Sequence, residues 1–598
     1  MGSVTNKIQA LRSRWWLIFP VAVAVCVVWA DAEMLTFSTP VLLGNRDNLD
    51  IPYPLFDFFI DGLRHGHINV YQPFMWAGTR LFGDPNFQIN MFEVITGLLF
   101  GTKGLFIGLN FMFLAERIAA ALGMYALIGA VCPNLPRYLR AILSLLYVFS
   151  FGYLAAEPFP STSVHFAVAP WLLFVLIVSR NLSALKAFAA LTAMLFVQFS
   201  YGQLQFTVYL GWLSLSFALF YLPRADRFHA VWLLSAAAIV AALLSAYYVI
   251  PLIDNLYFSG NSGTGGRVIH ALDISAERVP FFYFVRIFVP NIFGGDIGWW
   301  PTWRNGWSLW ESFSAFQGVV LSLLVIVGLF VKRVPLYFRL TYLFIAATVS
   351  FPLGLSILHF MNFGSAAPYG RQTVLLGLIA PIIAAFTLEE MVKNRKIATA
   401  FAIWCGVWCL GLLTIYGAGF PKFFVRHVFA SLKHTFPDAY SPGEAARFYD
   451  LHAHALQMTL STPAILTGLA AISALALVVA SDRYVTARRP TLLYGAATVI
   501  CLLSLGQAIA VYHTSRPFHS NGAASKISLS TKYPLDEVLV ATGASVANGP
   551  VMYRLHSDIY FGEHRQGTDF AAGNLTYRLP GAQPPVNRFQ TLSNFLAS

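Results

Sequence analysis

The chain has 598 residues, of which 57% are hydrophobic, 15% aromatic and only 11% charged, against roughly a quarter charged in soluble domains. A water-soluble protein of this length would divide into several domains with polar surfaces, so that class is excluded, and the mean hydropathy of +0.63 agrees. The 39 basic and 27 acidic side chains leave a net charge of +12, which in a membrane chain reflects topology before nucleic acid.

About thirteen stretches are long and apolar enough to cross a bilayer. They lie near 15–31, 104–131, 140–156, 163–179, 184–200, 205–222, 229–250, 314–331, 338–358, 371–391, 397–418, 459–480 and 490–512. The first reads as a retained span: Asp31 and Glu33 follow it directly, with no small-residue cleavage pattern. Every second connector is short and basic. These connectors hold Lys7, Arg12 and Arg14; Arg137 and Arg140; Arg180 and Lys186; Arg224 and Arg227; Lys332 and Arg333; Lys393, Arg395 and Lys396; Arg483, Arg488 and Arg489. The alternation predicts a multi-pass protein with a cytoplasmic N-terminus and an extracytoplasmic C-terminus. Much of the +12 is thereby explained, and no nucleic-acid partner is implied.

The expected architecture is an all-α polytopic membrane domain over 1–512 with a small extracytoplasmic β-rich cap over 513–598. Strand-like stretches Gly549–Leu555 and Asn574–Leu579 suggest the cap. Outer loops are expected at 32–103, 251–313, 359–370 and 419–458. No internal repeat is evident, which argues against a transporter built from two similar halves. Five cysteines, at 26, 132, 405, 409 and 501, lie in or beside apolar runs. Cys405 and Cys409 are four apart and read as a lipid-phase helix face rather than a zinc or disulfide site.

The first outer loop gathers Asp47, Asp50, Asp57, Asp61 and Asp84 with Arg46, Arg64, His65 and His67. Over Pro52–Leu63 the apolar residues and the acids at 57 and 61 predict an amphipathic helix at the membrane interface. Phe74, Met75 and Trp76 follow it as interfacial anchors. Acids of such a loop can merely solvate it or can serve function, and both readings stand for Asp57, Asp61 and Asp84. Asp47 and Asp50 come shortly after the first span, at a water–lipid boundary. A carboxylate there could take a proton from an acceptor hydroxyl while a lipid-borne phosphate leaves. The same two acids could hold a divalent cation instead. His65 and His67 lack further ligand spacing and read as interfacial hydrogen-bonders rather than metal ligands.

The second outer loop supplies Arg267, His270, Arg278, Arg286 and Arg304. Its Asn261–Arg267 stretch is rich in glycine but follows no strand and lacks the Gly-Lys-Ser/Thr ending, so it is not a P-loop. Bare amides with an Arg could hold a lipid phosphate there, or the stretch is a plain turn. Trp299, Trp300, Trp303, Trp307 and Trp310 suggest an interfacial belt. Glu116 and Arg117 fall inside the second span, where ionisable groups are costly. Being adjacent they cannot face each other, so each needs its own partner. Arg371 opens the tenth span, well placed for an anionic lipid head.

Taken in order, these segments resemble the YfhO-like bacterial membrane proteins. The first loop matches in Asp47…Tyr53-Pro54…Asp57-Phe58-Phe59, Trp76-Ala77-Gly78…Gly83-Asp84-Pro85 and Ile89-Asn90-Met91-Phe92. Tyr201-Gly202-Gln203-Leu204-Gln205…Tyr209 is similar to a Gly-His-x-Gln…Tyr pattern, with Gln203 replacing the His. Pro251-Leu252…Ser262…Arg267, Val289-Pro290…Gly294-Gly295, Glu311-Ser312-Phe313…Gly318 and Tyr369-Gly370-Arg371…Leu388-Glu389-Glu390 resemble later segments. Tyr553-Arg554-Leu555 and Asn587-Arg588-Phe589…Leu592-Ser593-Asn594-Phe595 resemble the start of the family's outer C-terminal domain.

The resemblance implies a GT-C-type glycosyltransferase of the bacterial plasma membrane, taking sugar from a polyprenyl-phosphate donor to an envelope glycan or lipid acceptor. Carried over by position, Asp47, with Asp50 beside it, would be the general base of an inverting transfer. Arg371 and Arg267 would hold the phosphate, and Gln205, Asp57, Trp76 and Glu311 would contact substrate. No metal ligand or obligatory cofactor is implied, leaving the divalent cation at Asp47 and Asp50 as an alternative. A lipid or polysaccharide flippase and a non-catalytic envelope-assembly protein are the competing expectations.

Overall fold

The structure, a computed structural model, describes residues 18–35, 52–72, 79–82, 87, 89–150, 160–201, 204–253, 317–350, 357, 361, 374–419, 465–476, 478 and 490–515. The chain is mostly helical, and among the described residues six helices are long and apolar enough to cross a membrane. In chain order the helices are α1 (Ile18–Ala30), α2 (Pro52–Arg64), α3 (Met91–Phe100), α4 (Thr102–Val131), α5 (Arg137–Val148), α6 (Pro160–Val178), α7 (Ala184–Tyr201) and α8 (Leu204–Ser216). There follow α9 (Arg224–Leu244), α10 (Ala246–Ile253), α11 (Val319–Phe330), α12 (Leu336–Ser350), α13 (Val374–Lys393), α14 (Arg395–Gly417), α15 (Ile465–Ala476) and α16 (Pro490–Ser515). The six spanning candidates fall in α4, α6, α7, α9, α13 and α14. Shorter apolar helices occupy the remaining described parts of the expected spans near 15–31, 314–331, 338–358, 459–480 and 490–512.

Burial separates the helices into inner and outer sets. The apolar window of α13 is 94% buried, whereas those of α9 and α14 are 28% buried. An apolar helix with water-insoluble residues all round and little protein cover is lipid-facing. On α9, Trp232, Ile239 and Leu243 point outward, and on α14 so do Ile403, Val407 and Leu410. Helix α13 is therefore the central post, packed by α11, α12, α14 and α5. Cys405 is fully buried in the core, while Cys409 lies beside Gly468 of α15. This corrects the lipid-phase expectation at Cys405, which lies on the buried side of α14 with Ala398, Phe401, Ala402 and Leu412, while Cys409 is half-buried.

Three basic connectors share one end of the bundle. Glu389 of α13, 1% exposed, accepts from Arg333 at 2.5 Å, from Lys393 at 2.7 Å and from the Cys132 thiol at 2.9 Å. Burial, then the neighbouring Glu389, push the Cys132 thiol up to about 12, so it stays a donor. The residues that follow α4 and α11, and the last residue of α13, are thus tied to one carboxylate.

A six-residue corner recurs at the start of three helices that leave this end. Leu135-Pro136…Arg140, Leu222-Pro223…Arg227 and Val334-Pro335…Arg339 share the spacing. Arg140 donates to the Leu135 carbonyl at 2.8 Å and Arg227 to the Leu222 carbonyl at 2.9 Å, while Arg339 reaches back to Leu329 at 3.4 Å. Proline fixes the turn and lacks the N–H that a first helical turn leaves without a partner. In the first two corners the Arg one turn later then satisfies the preceding carbonyl. The shared unit is a corner at three helix starts, far shorter than a domain-sized period.

Candidate functional site

The described part of the first loop folds against the other end of the bundle. Helix α2 forms where the sequence predicts an amphipathic helix. Its Leu55, Phe56, Phe59 and Ile60 are buried with Leu81 and Phe87 in a separate apolar cluster. That cluster touches the bundle where the Phe82 ring meets Tyr247 of α10 at 6.1 Å. A two-residue antiparallel ladder, Tyr71–Gln72 with Thr79–Arg80, closes the turn between them. Asp61 is exposed, and its backbone carbonyl lies 2.8 Å from His65 Nδ1.

The α3–α4 hairpin follows. Asn90 caps α3, its side-chain oxygen accepting the Phe92 N–H at 2.9 Å. Met91, Phe92, Ile95 and Leu99 of α3 face outward and are exposed, while Glu93 points inward and is buried. This is the reverse of a soluble surface helix and suits one lying in lipid. Close approach to α4 needs glycine: a Cβ at Gly108 would stand 2.6 Å from the Glu93 Cα, and one at Gly104 would collide with the Thr96 carbonyl. Gly104-x-x-x-Gly108 is the small-residue spacing that lets membrane helices touch.

Behind this contact lies a buried polar nest. Asn90 donates to Met112 Sδ at 2.5 Å, and the Tyr201 hydroxyl donates to the same sulfur. Ser163 of α6 donates to Glu116 at 2.5 Å. Glu93 shares this nest with Glu116 and Tyr201. Burial pushes the Glu93 carboxyl up to about 8, opposed by its bond to Asn90. A neutral Glu93 is the form that a dry setting favours. On the next turn face, Arg117 Nη1 holds both oxygens of Asp31 at 2.6 and 2.7 Å, with Arg117 2% exposed and Asp31 fully buried. Glu116 and Arg117 thus have separate partners, as their adjacency requires. The structure places Arg117 over the Phe149 ring as well, at 6.0 Å.

Of the residues singled out from sequence, Asp47, Asp50, Trp76, Arg267, Glu311 and Arg371 lie outside the described residues. Asp57 sits in α2, and Gln205 sits in α8, donating to the Tyr209 hydroxyl at 2.8 Å. The expected β-rich cap also falls outside them beyond Ser515. Among the described residues no group of three His, Cys, Asp or Glu is placed to hold a metal. Sequence reading used Asn90 only within the family resemblance and passed over Glu93 and the role of Asp31. An acid within the apolar run Met91–Phe100 and the Gly104…Gly108 spacing were the available signals.

Comparison with protein-family models, curated proteins and solved structures finds no match for this chain.

Proposed function

We propose that the chain is a membrane glycosyltransferase that moves sugar from a polyprenyl-phosphate donor to a cell-envelope glycan or lipid on the extracytoplasmic side of the bacterial plasma membrane. The observation that supports this most is the seating of the first loop. Helix α2 and the α3–α4 hairpin pack against the end of the bundle opposite the Glu389 cluster. The described part of this loop thereby lies beside the lipid-facing residues of α3. In the proposed step the Asp47 carboxylate takes the proton of the acceptor hydroxyl as that oxygen bonds the anomeric carbon. The bond from that carbon to the donor phosphate breaks, and the phosphate leaves as an anion held by Arg371 and Arg267. Asp50 is the alternative base. Asp57, Trp76, Gln205 and Glu311 are the proposed substrate contacts, and a divalent cation at Asp47 and Asp50 is the alternative use of that pair.

Asp47→Asn is expected to insert normally and to lose sugar transfer from a radiolabelled polyprenyl-phosphate sugar in reconstituted vesicles. Full transfer by that variant refutes the base assignment. A second reading, a lipid or polysaccharide flippase, draws on the buried polar side chains Asn110, Gln198 and Glu116 within spanning helices. Lipid flipping without transfer from any such donor would favour it over the first.

A further inference from the structure

We propose that the paired starts of α7 and α9 bind an anionic phospholipid, with Lys186 and Arg224 at its phosphodiester and the outer face of α9 along its acyl chains. The two helices run side by side in one direction. At one end Arg180, in the turn before α7, lies 3.6 Å from Asp226 in the first turn of α9. At the other end the Ser200 and Ser245 hydroxyls meet at 2.7 Å. Between these ties Ala187 and Ala230 are fully buried, so the first turns of both helices stand together.

Residues 179–186 and 222–230 carry four cations, Arg180, Lys186, Arg224 and Arg227, against one acid, Asp226. Arg180 faces that acid, and Arg227 turns back to the Leu222 carbonyl. Lys186 and Arg224 are exposed, and among the described residues neither side chain makes a hydrogen bond or an ion pair. What lies beneath them selects the partner. Arg224 shares a helix face with Phe228 and Trp232, one and two turns further on, which are 82% and 65% exposed. Ile239 and Leu243 extend the same exposed row. Large apolar side chains left open along a spanning helix lie against acyl chains, and an indole suits the depth just beneath the headgroups. A cation pair heading such a row matches a lipid whose phosphate lacks an ammonium group of its own. Phosphatidylglycerol meets that requirement and zwitterionic phosphatidylcholine does not. A soluble anion would use the two cations and gain nothing from the row.

The site lies at the end of the bundle that holds the Glu389 cluster, so it does not depend on the glycosyltransferase reading. Full-length protein is reconstituted in nanodiscs of phosphatidylcholine with a graded share of phosphatidylglycerol carrying brominated acyl chains. Bromine quenches an indole that touches the chain, and the Trp232 signal is the difference between the unsubstituted chain and Trp232→Phe. Brominated phosphatidylglycerol is expected to be preferred at Trp232 over brominated phosphatidylcholine, by about fivefold for each cation of the site. Lys186→Gln and Arg224→Gln should each lower that preference by about fivefold, and Arg224→Lys should keep most of it. Lys396→Gln removes an exposed cation from the start of α14 and should leave the preference unchanged. No preference in the unsubstituted chain, or an unaltered one in both Gln variants, overturns the proposal. So does an equal loss in Lys396→Gln, which would assign the preference to the overall charge of that surface.

Discussion

Replacing Arg117 by Met should be among the most damaging single changes in the bundle. The guanidinium and Asp31 are both within 2% of full burial, and one nitrogen reaches both carboxylate oxygens within 2.7 Å. Methionine retains the volume of the stem but removes both Arg117 bonds from the buried Asp31 carboxylate. Removing one member of a buried pair costs about 3–5 kcal/mol. The contact with Phe149 at 6.0 Å adds about 0.5–2 kcal/mol. Replacing both members, Arg117→Met with Asp31→Leu, removes the stranded charge and should recover most of the first loss. The assay is an unfolding titration in mixed micelles, read for both single variants and the double variant as a cycle. A single-variant loss under about 1 kcal/mol, typical of exposed pairs, would refute the reasoning. So would a double variant no more stable than Arg117→Met, because the damage would then not come from an uncompensated charge.

Two further outcomes follow from the hairpin. Gly108→Val should separate α3 from α4, since its Cβ would lie 2.6 Å from the Glu93 Cα and 2.7 Å from the Glu93 nitrogen, neither of which is a movable side-chain end. A loss of about 1–3 kcal/mol is expected for such overpacking, with faster proteolysis after residue 100 as the readout. Glu93 sets a pH dependence: its carboxyl rises from 4.5 to about 8 on folding. A raised carboxyl contributes stability that is complete below pH 4.5 and is lost as pH climbs toward 8. Melting temperature should fall across that window in the native chain, and Glu93→Gln should flatten the slope.

Sequence showed where apolar and amphipathic helices form and little of how they meet. Amphipathic spacing over Pro52–Leu63 was enough for α2, because the helix buries Leu55, Phe56, Phe59 and Ile60 on one face whatever covers them. Adjacency was enough to require two partners for Glu116 and Arg117. It could not name them, because Ser163 and Asp31 lie 47 and 86 residues away and nothing local marks either. Cys405 looked lipid-facing because burial by protein and burial by lipid leave the same apolar run.

What the sequence determined alone is the solvent: with 11% charged residues, apolar stretches of about 20 residues must sit in a bilayer, and helices must satisfy their own backbone there. Tertiary structure decided which helix is the post, which glycines touch, and which polar side chains meet. Those choices depend on contacts between distant segments, where a single Cβ or a single missing acceptor outweighs any local preference. Lys186 and Arg224, 38 positions apart in the chain on subtracting their numbers, head one surface only because α9 packs against α7.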